Sequence, residues 1–144
     1  MKLSTRARYG IRAILELAMS YGQGALQLKV IARHQDISIK YLEQIIATLR
    51  SGGFVRSIRG AKGGYILAKA PEQIKLSDIF ECLEGHISTV ECIEDQNSCA
   101  RSLDCVAREL WIQVNNAIRA VLSSTTLQDL VDKMEDKRNM DYQI

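Results

Sequence analysis

Three thiols share one acidic segment, ECIEDQNSCARSLDCVARELW, where Cys92, Cys99 and Cys105 fall within residues 91–111. Thiolates are soft metal ligands and readily oxidised groups, so a trio of them points to a metal site or a redox site. The spacing Cys-x6-Cys-x5-Cys does not match zinc sites, which pair cysteines two to four residues apart. Nor does it match the usual ferredoxin runs. Three thiols are one short of a closed tetrahedral site and an odd number for disulfides, and no histidine lies among them. An incidental trio is the remaining reading. Cys82, in DIFECLEG beside Ile79, Phe80 and Leu83, reads as a packing cysteine. The loop GAKGG lacks the GxxxxGK[ST] pattern and precedes a β-prone run, so its glycines serve a hairpin tip rather than a phosphate. His34 and His86 have no nucleophile to serve, and no catalytic constellation supports an enzyme.

These residues sit in a chain of 144 with 47% hydrophobic and 25% charged residues, the composition of an ordinary globular protein. The single proline and few aromatics favour helices over a sandwich or barrel. No apolar run reaches membrane-spanning length. Arg12 and Glu16 interrupt the only candidate export signal, so the expected compartment is cytoplasmic, with reduced thiols. The net charge of +2 is split: residues 1–70 hold 12 Lys and Arg against 3 Asp and Glu, or +9, whereas residues 71–144 hold 7 against 14, or −7. A basic first half suits a polyanion.

Ser4 can cap a helix running to about Tyr21, ended by Gly22 and Gly24. Leu28 to His34 fits a short second helix. Asp36-Ile37-Ser38 breaks the chain, and Ser38 caps a third helix with Ile39, Leu42, Ile45, Ile46 and Leu49 inward. Its outward face carries Ser38, Lys40, Tyr41, Glu43, Gln44 and Thr48. Two β-prone runs, Phe54–Arg59 and Tyr65–Lys69, flank a tip with Arg59 and Lys62. Two short helices and a basic hairpin form a winged helix-turn-helix pattern, in which a polar helix N-terminus enters the major groove and the hairpin reaches phosphates or the minor groove. Beyond Pro71, Ser77 can cap a helix closed by Gly85, and HISTVECIE reads as extended. A long helix from about Ser102 to Ser123 carries the stripe Val106, Leu110, Val114, Ala117, Ile118 and Val121, a surface for a second chain or for an intrachain core. Thr126 to about Asp136 forms a last helix before a partly mobile tail.

The segments KLSTRARYGIRAILELA and ISIKYLEQIIATLRSGGFVRSIRGAKGGY, with the cysteine trio followed by ELW, resemble winged-helix regulators of the IscR type. These sense iron–sulfur clusters and have nitric-oxide-sensing and cysteine-metabolism repressors as relatives. The resemblance implies a homodimer with a long crossing helix and a labile 2Fe–2S cluster held by Cys92, Cys99 and Cys105. It also implies major-groove contacts at Ser38, Lys40, Tyr41, Glu43 and Gln44 and a wing contact at Arg59. IscR-type proteins place a histidine three residues after the last cysteine, where this chain has Arg108, a poor ligand. A fourth ligand would have to be His86, Glu91, Glu109, an exogenous thiol or a partner-chain residue. LEGHISTVECIED and VLSSTTLQDL resemble the CymR type, which lacks the trio.

The expectation is a mainly α fold with a small β-hairpin wing: a winged helix-turn-helix over 1–70, then a cluster-binding loop (about 91–106) and dimerisation helices over 71–144. The expected function is a homodimeric regulator of iron–sulfur cluster biogenesis. Its sequence-specific binding of double-stranded DNA is modulated by a 2Fe–2S cluster, with iron–sulfur assembly proteins as cluster donors. The alternatives are a clusterless CymR-like repressor of sulfur or cysteine metabolism and a zinc-stabilised interaction module.

Overall fold

Ser4 starts the first helix, its Oγ accepting the Ala7 N–H at 3.0 Å. The computed structural model describes residues 2–143. The helices are α1 Thr5–Met19, α2 Leu28–Gln35, α3 Ile39–Ser51, α4 Leu76–Glu84, α5 Glu91–Glu94, α6 Val106–Ser124 and α7 Leu127–Asp141. Strands β1 Val55–Ile58 and β2 Gly64–Leu67 lie between α3 and α4, and single 3-10 turns cover Pro71–Gln73 and Gln96–Ser98.

The break between α2 and α3 is made by Asp36, the one non-glycine residue of positive φ among those described (53°). That left-handed turn swings Ile37 into the core and leaves Ser38 to cap α3 through the Tyr41 N–H at 3.2 Å. Leu42, Ile45, Ile46 and Leu49 are buried as their spacing demands. Ile39 is not: at the first position of the helix it lies outside the core and is 50% exposed. The hairpin is antiparallel, with Val55 opposite Leu67 and Ile58 opposite Gly64. Leu26 adds an isolated bridge to Tyr65, and a Cβ on Gly64 would meet the Leu26 carbonyl oxygen at 2.2 Å, so only glycine admits this approach.

One core joins Ile14, Leu17, Ile31, Ile45 and Leu49 of the first three helices to Val55 and Leu67 of the hairpin, Ile74, Ile79 and Leu83 around α4, and Leu127 and Val131 of α7. The core therefore crosses residue 70. An antiparallel bridge between Lys75 and Thr126 fixes the return of the chain: Leu76 N–H donates to Thr125 O at 2.9 Å and Leu127 N–H to Ile74 O at 2.8 Å. This long-range pairing explains why α4 begins at Leu76, with Lys75 at its cap, and Ser77 lies inside it. Residues 91–94, read from sequence as extended, form the single turn α5. The last helix continues to Asp141, past the boundary expected at Asp136.

α6 contrasts with the rest. Its only buried residue is Asn115, and its apolar stripe faces outward, with Val106 78%, Leu110 52% and Val121 64% exposed.

Candidate nucleic-acid interface and sensing loop

α3 presents its N-terminus to solvent. Ser38, Lys40, Glu43 and Gln44 are exposed, and Tyr41 is half-buried, its ring edge-on to Tyr9 at 6.1 Å. The Ser38 hydroxyl accepts the Tyr41 N–H, which leaves its own O–H free to donate to a phosphate. Arg12 lies over the Tyr9 ring, its guanidinium carbon 5.4 Å from the centroid. Arg12 also donates to the Gln35 side chain at 2.7 Å and the Gln35 carbonyl at 2.9 Å, which ties α1 to the end of α2. Arg6 donates to Thr48 near the other end of α3. α3 is thus held against α1 near both ends.

Arg59 and Lys62 are exposed in the turn between β1 and β2, at the tip where the sequence puts them. Arg56, exposed on β1 beside buried Val55, adds a cation that the sequence reading left out. The step from a buried to an exposed residue in the short strand is the signal that would have found it.

The cysteine loop is assembled differently. Asp95 caps the turn at 96–98 by accepting the Asn97 N–H at 2.9 Å, and Ser102, 5% exposed, donates its hydroxyl to the Cys99 carbonyl at 2.9 Å. Cys92 and Cys105 are half-buried, Cys99 is exposed, and all are free thiols. No group of three or more metal-ligating side chains comes together among the described residues. Arg108 crosses the loop instead, its Nε donating to the Cys92 carbonyl at 2.9 Å while its backbone N–H donates to the Cys105 carbonyl at 3.2 Å. In this arrangement the thiols form no three-ligand group, and the Arg108 guanidinium is bonded into the loop. His86 is engaged by Arg119 of α6 and by Glu94 of α5. Arg119 lies fourteen residues along α6 from Cys105, about 21 Å at helical rise.

Cys82 is separate from the trio. Its Sγ lies 3.4 Å from the Thr48 carbonyl, and a Cβ on Gly52 would meet it at 2.6 Å. Burial pushes its thiol above the ordinary range, with the Arg6 charge opposing weakly, so it packs α4 against α3.

A helix-turn-helix with a basic wing and a long outward helix defines a DNA-reading transcription factor. The chain belongs to the Rrf2 family, described as "Iron-dependent Transcriptional regulator", which matches residues 3–133. It is similar to the HTH-type transcriptional regulator CymR of Bacillus subtilis, at 47% identity over 130 residues, 90% of this chain and 89% of that one. The solved structure of CymR, the global cysteine regulator of B. subtilis, superposes with a TM-score of 0.80 at 45% identity, covering 92% of this chain and 98% of the other. T. potens IscR superposes equally well, at 0.80 with 40% identity, covering 95% and 90%. The chain is a DNA-binding transcription regulator and not an enzyme. No helix among the described residues is long and apolar enough to cross a membrane.

Proposed function

We propose that the chain is a homodimeric, sequence-specific regulator of sulfur supply, of the CymR kind, which works without a resident cluster. Ser38, Lys40, Tyr41, Glu43 and Gln44 read the major groove, Arg59 and Lys62 hold the wing to the backbone, and α6 pairs two protomers. The observation that carries the clusterless reading is Arg108. It stands where the IscR-type pattern has histidine, and its side chain is bonded into the loop through the Cys92 carbonyl. An always-charged guanidinium cannot ligate iron and repels a cation placed beside it.

A second reading, a 2Fe–2S regulator of iron–sulfur cluster biogenesis, is favoured by a different feature of the same loop. The Arg108 side chain bonds the Cys92 carbonyl while its backbone N–H bonds the Cys105 carbonyl, and all three thiols are unpaired. Cys92, Cys99 and Cys105 would hold the group, which would supply a redox- and iron-sensitive charge.

Anaerobic purification with iron and sulfide analysis and a visible spectrum separates the two. A colourless protein with no iron supports the first reading. Iron–thiolate charge-transfer bands, lost when any one of the three cysteines becomes Ala, overturn it in favour of the second.

A further inference from the structure

A cleft between the 86–94 segment and α6 holds both signs of charge without joining them. His86, Ile93, Glu94, Asn115, Asn116 and Arg119 line a cavity of about 430 Å³, within the size range of small-molecule sites. Among the described residues Glu94 and Arg119 make no ion pair with each other. His86 stands between them, its Nε2 3.2 Å from Glu94 Oε1 and 2.7 Å from the Arg119 guanidinium. One ring nitrogen cannot serve both. With its lone pair free it accepts from Arg119 and leaves Glu94 unpaired; with a proton it donates to Glu94 and faces a cation.

The remaining groups are fixed in direction. Arg119 spends one terminal nitrogen on His86 and on the Ile87 carbonyl at 3.1 Å, so its Nε and other terminal nitrogen remain open donors. Asn115 is 3% exposed, and its Oδ1 accepts the Thr89 N–H at 3.2 Å, which commits its amide nitrogen to donating. A guanidinium edge matches a carboxylate, and an underused carboxylate matches an ammonium. A lone anion would meet Glu94 and a lone amine would meet Arg119. The complement of this array is a molecule that carries both charges close together.

We propose that this cleft binds a small α-amino acid with an uncharged side chain, its carboxylate on Arg119 and its ammonium on Glu94. Ile93, the one apolar lining residue, favours a side chain that is aliphatic or weakly polar. An occupant would bridge α5 to the middle of α6, clamping the segment that leads into the cysteine loop. Only this regulatory consequence rests on the reading as a DNA-binding regulator; binding is measured without DNA.

The test is calorimetric titration of the full chain with L-serine, L-alanine, L-valine and L-methionine, each beside its N-acetyl and carboxamide forms. At least one free amino acid should give a saturable heat, with both blocked forms about tenfold weaker. Glu94→Gln and Asn116→Ala, both exposed positions, should each weaken binding, the first by about tenfold, with an unchanged melting temperature. No saturable heat up to about 10 mM, blocked forms that bind as well as the free acid, or unchanged affinity in Glu94→Gln would each overturn the proposal. If that happens while operator binding is intact, the cleft is refuted and the regulator reading stands.

Discussion

Glu43 is the only acidic residue on the exposed face at the start of α3, amid Ser38, Lys40 and Gln44. A carboxylate there repels phosphates and can accept only from base amino groups such as that of cytosine, so it excludes sequences more than it attracts them. Glu43→Ala should therefore widen the set of DNA sites bound, as read by selection from a random library; an unchanged consensus would remove Glu43 from the readout. Arg59→Ala should weaken binding across all sequences and reduce the salt slope by about one unit, with an unaltered slope placing the wing off the DNA. The placement and exposure of these residues were legible because helix period and hairpin shape are local. Ile39 misled because periodicity assigns a face but not the depth of a helix's first residue. The approach of His86 to Arg119 was not legible at all, since 33 residues separate them and neither lies in a recognisable pattern.

Among the elements, α7 was foreseen in place but not in length or duty. Thr126 and Asp129 form a capping box: the Thr126 N–H donates to Asp129 Oδ2 at 2.8 Å and the Asp129 N–H to Thr126 Oγ1 at 3.2 Å. The bond from the Thr126 backbone, then that with its hydroxyl, holds the Asp129 carboxyl below its ordinary range. A depressed carboxylate stabilises the fold above its unfolded pKa of about 4 and loses that contribution as pH falls through the lower folded value. The gap in urea midpoint between wild type and Asp129→Asn should therefore hold steady at neutral pH and shrink below about pH 4. A gap that persists at lower pH would show that the charge is not what stabilises the cap. Thr126→Ala should cost about 1 kcal/mol in the same measurement. The start of α4 escaped prediction for the opposite reason. Ser77 has the right chemistry for a cap, but the partner that decides the boundary, Thr125, lies far along the chain.

At the scale of the whole molecule, the basic half carries α3 and the hairpin, and the acidic half carries α6 with its exposed apolar residues. Leu110 lies on the outward stripe of α6 and contributes little to the protomer's own core. Leu110→Glu should leave helicity unchanged while sedimentation reports a monomer and operator affinity collapses; a stable dimer would move the pairing surface off α6. The antiparallel bridge at Lys75 and Thr126 has a further consequence. It fastens the start of α4 to the start of α7, so that residues 86–125, which follow the core residues of α4, form an appendage whose two ends are anchored in one core. Closure entropy grows so slowly that doubling the length of such an appendage adds only about 0.6 kcal/mol. Thiols and other polar residues in that appendage can thus be gained or lost at little cost to the fold that holds α3 and the hairpin.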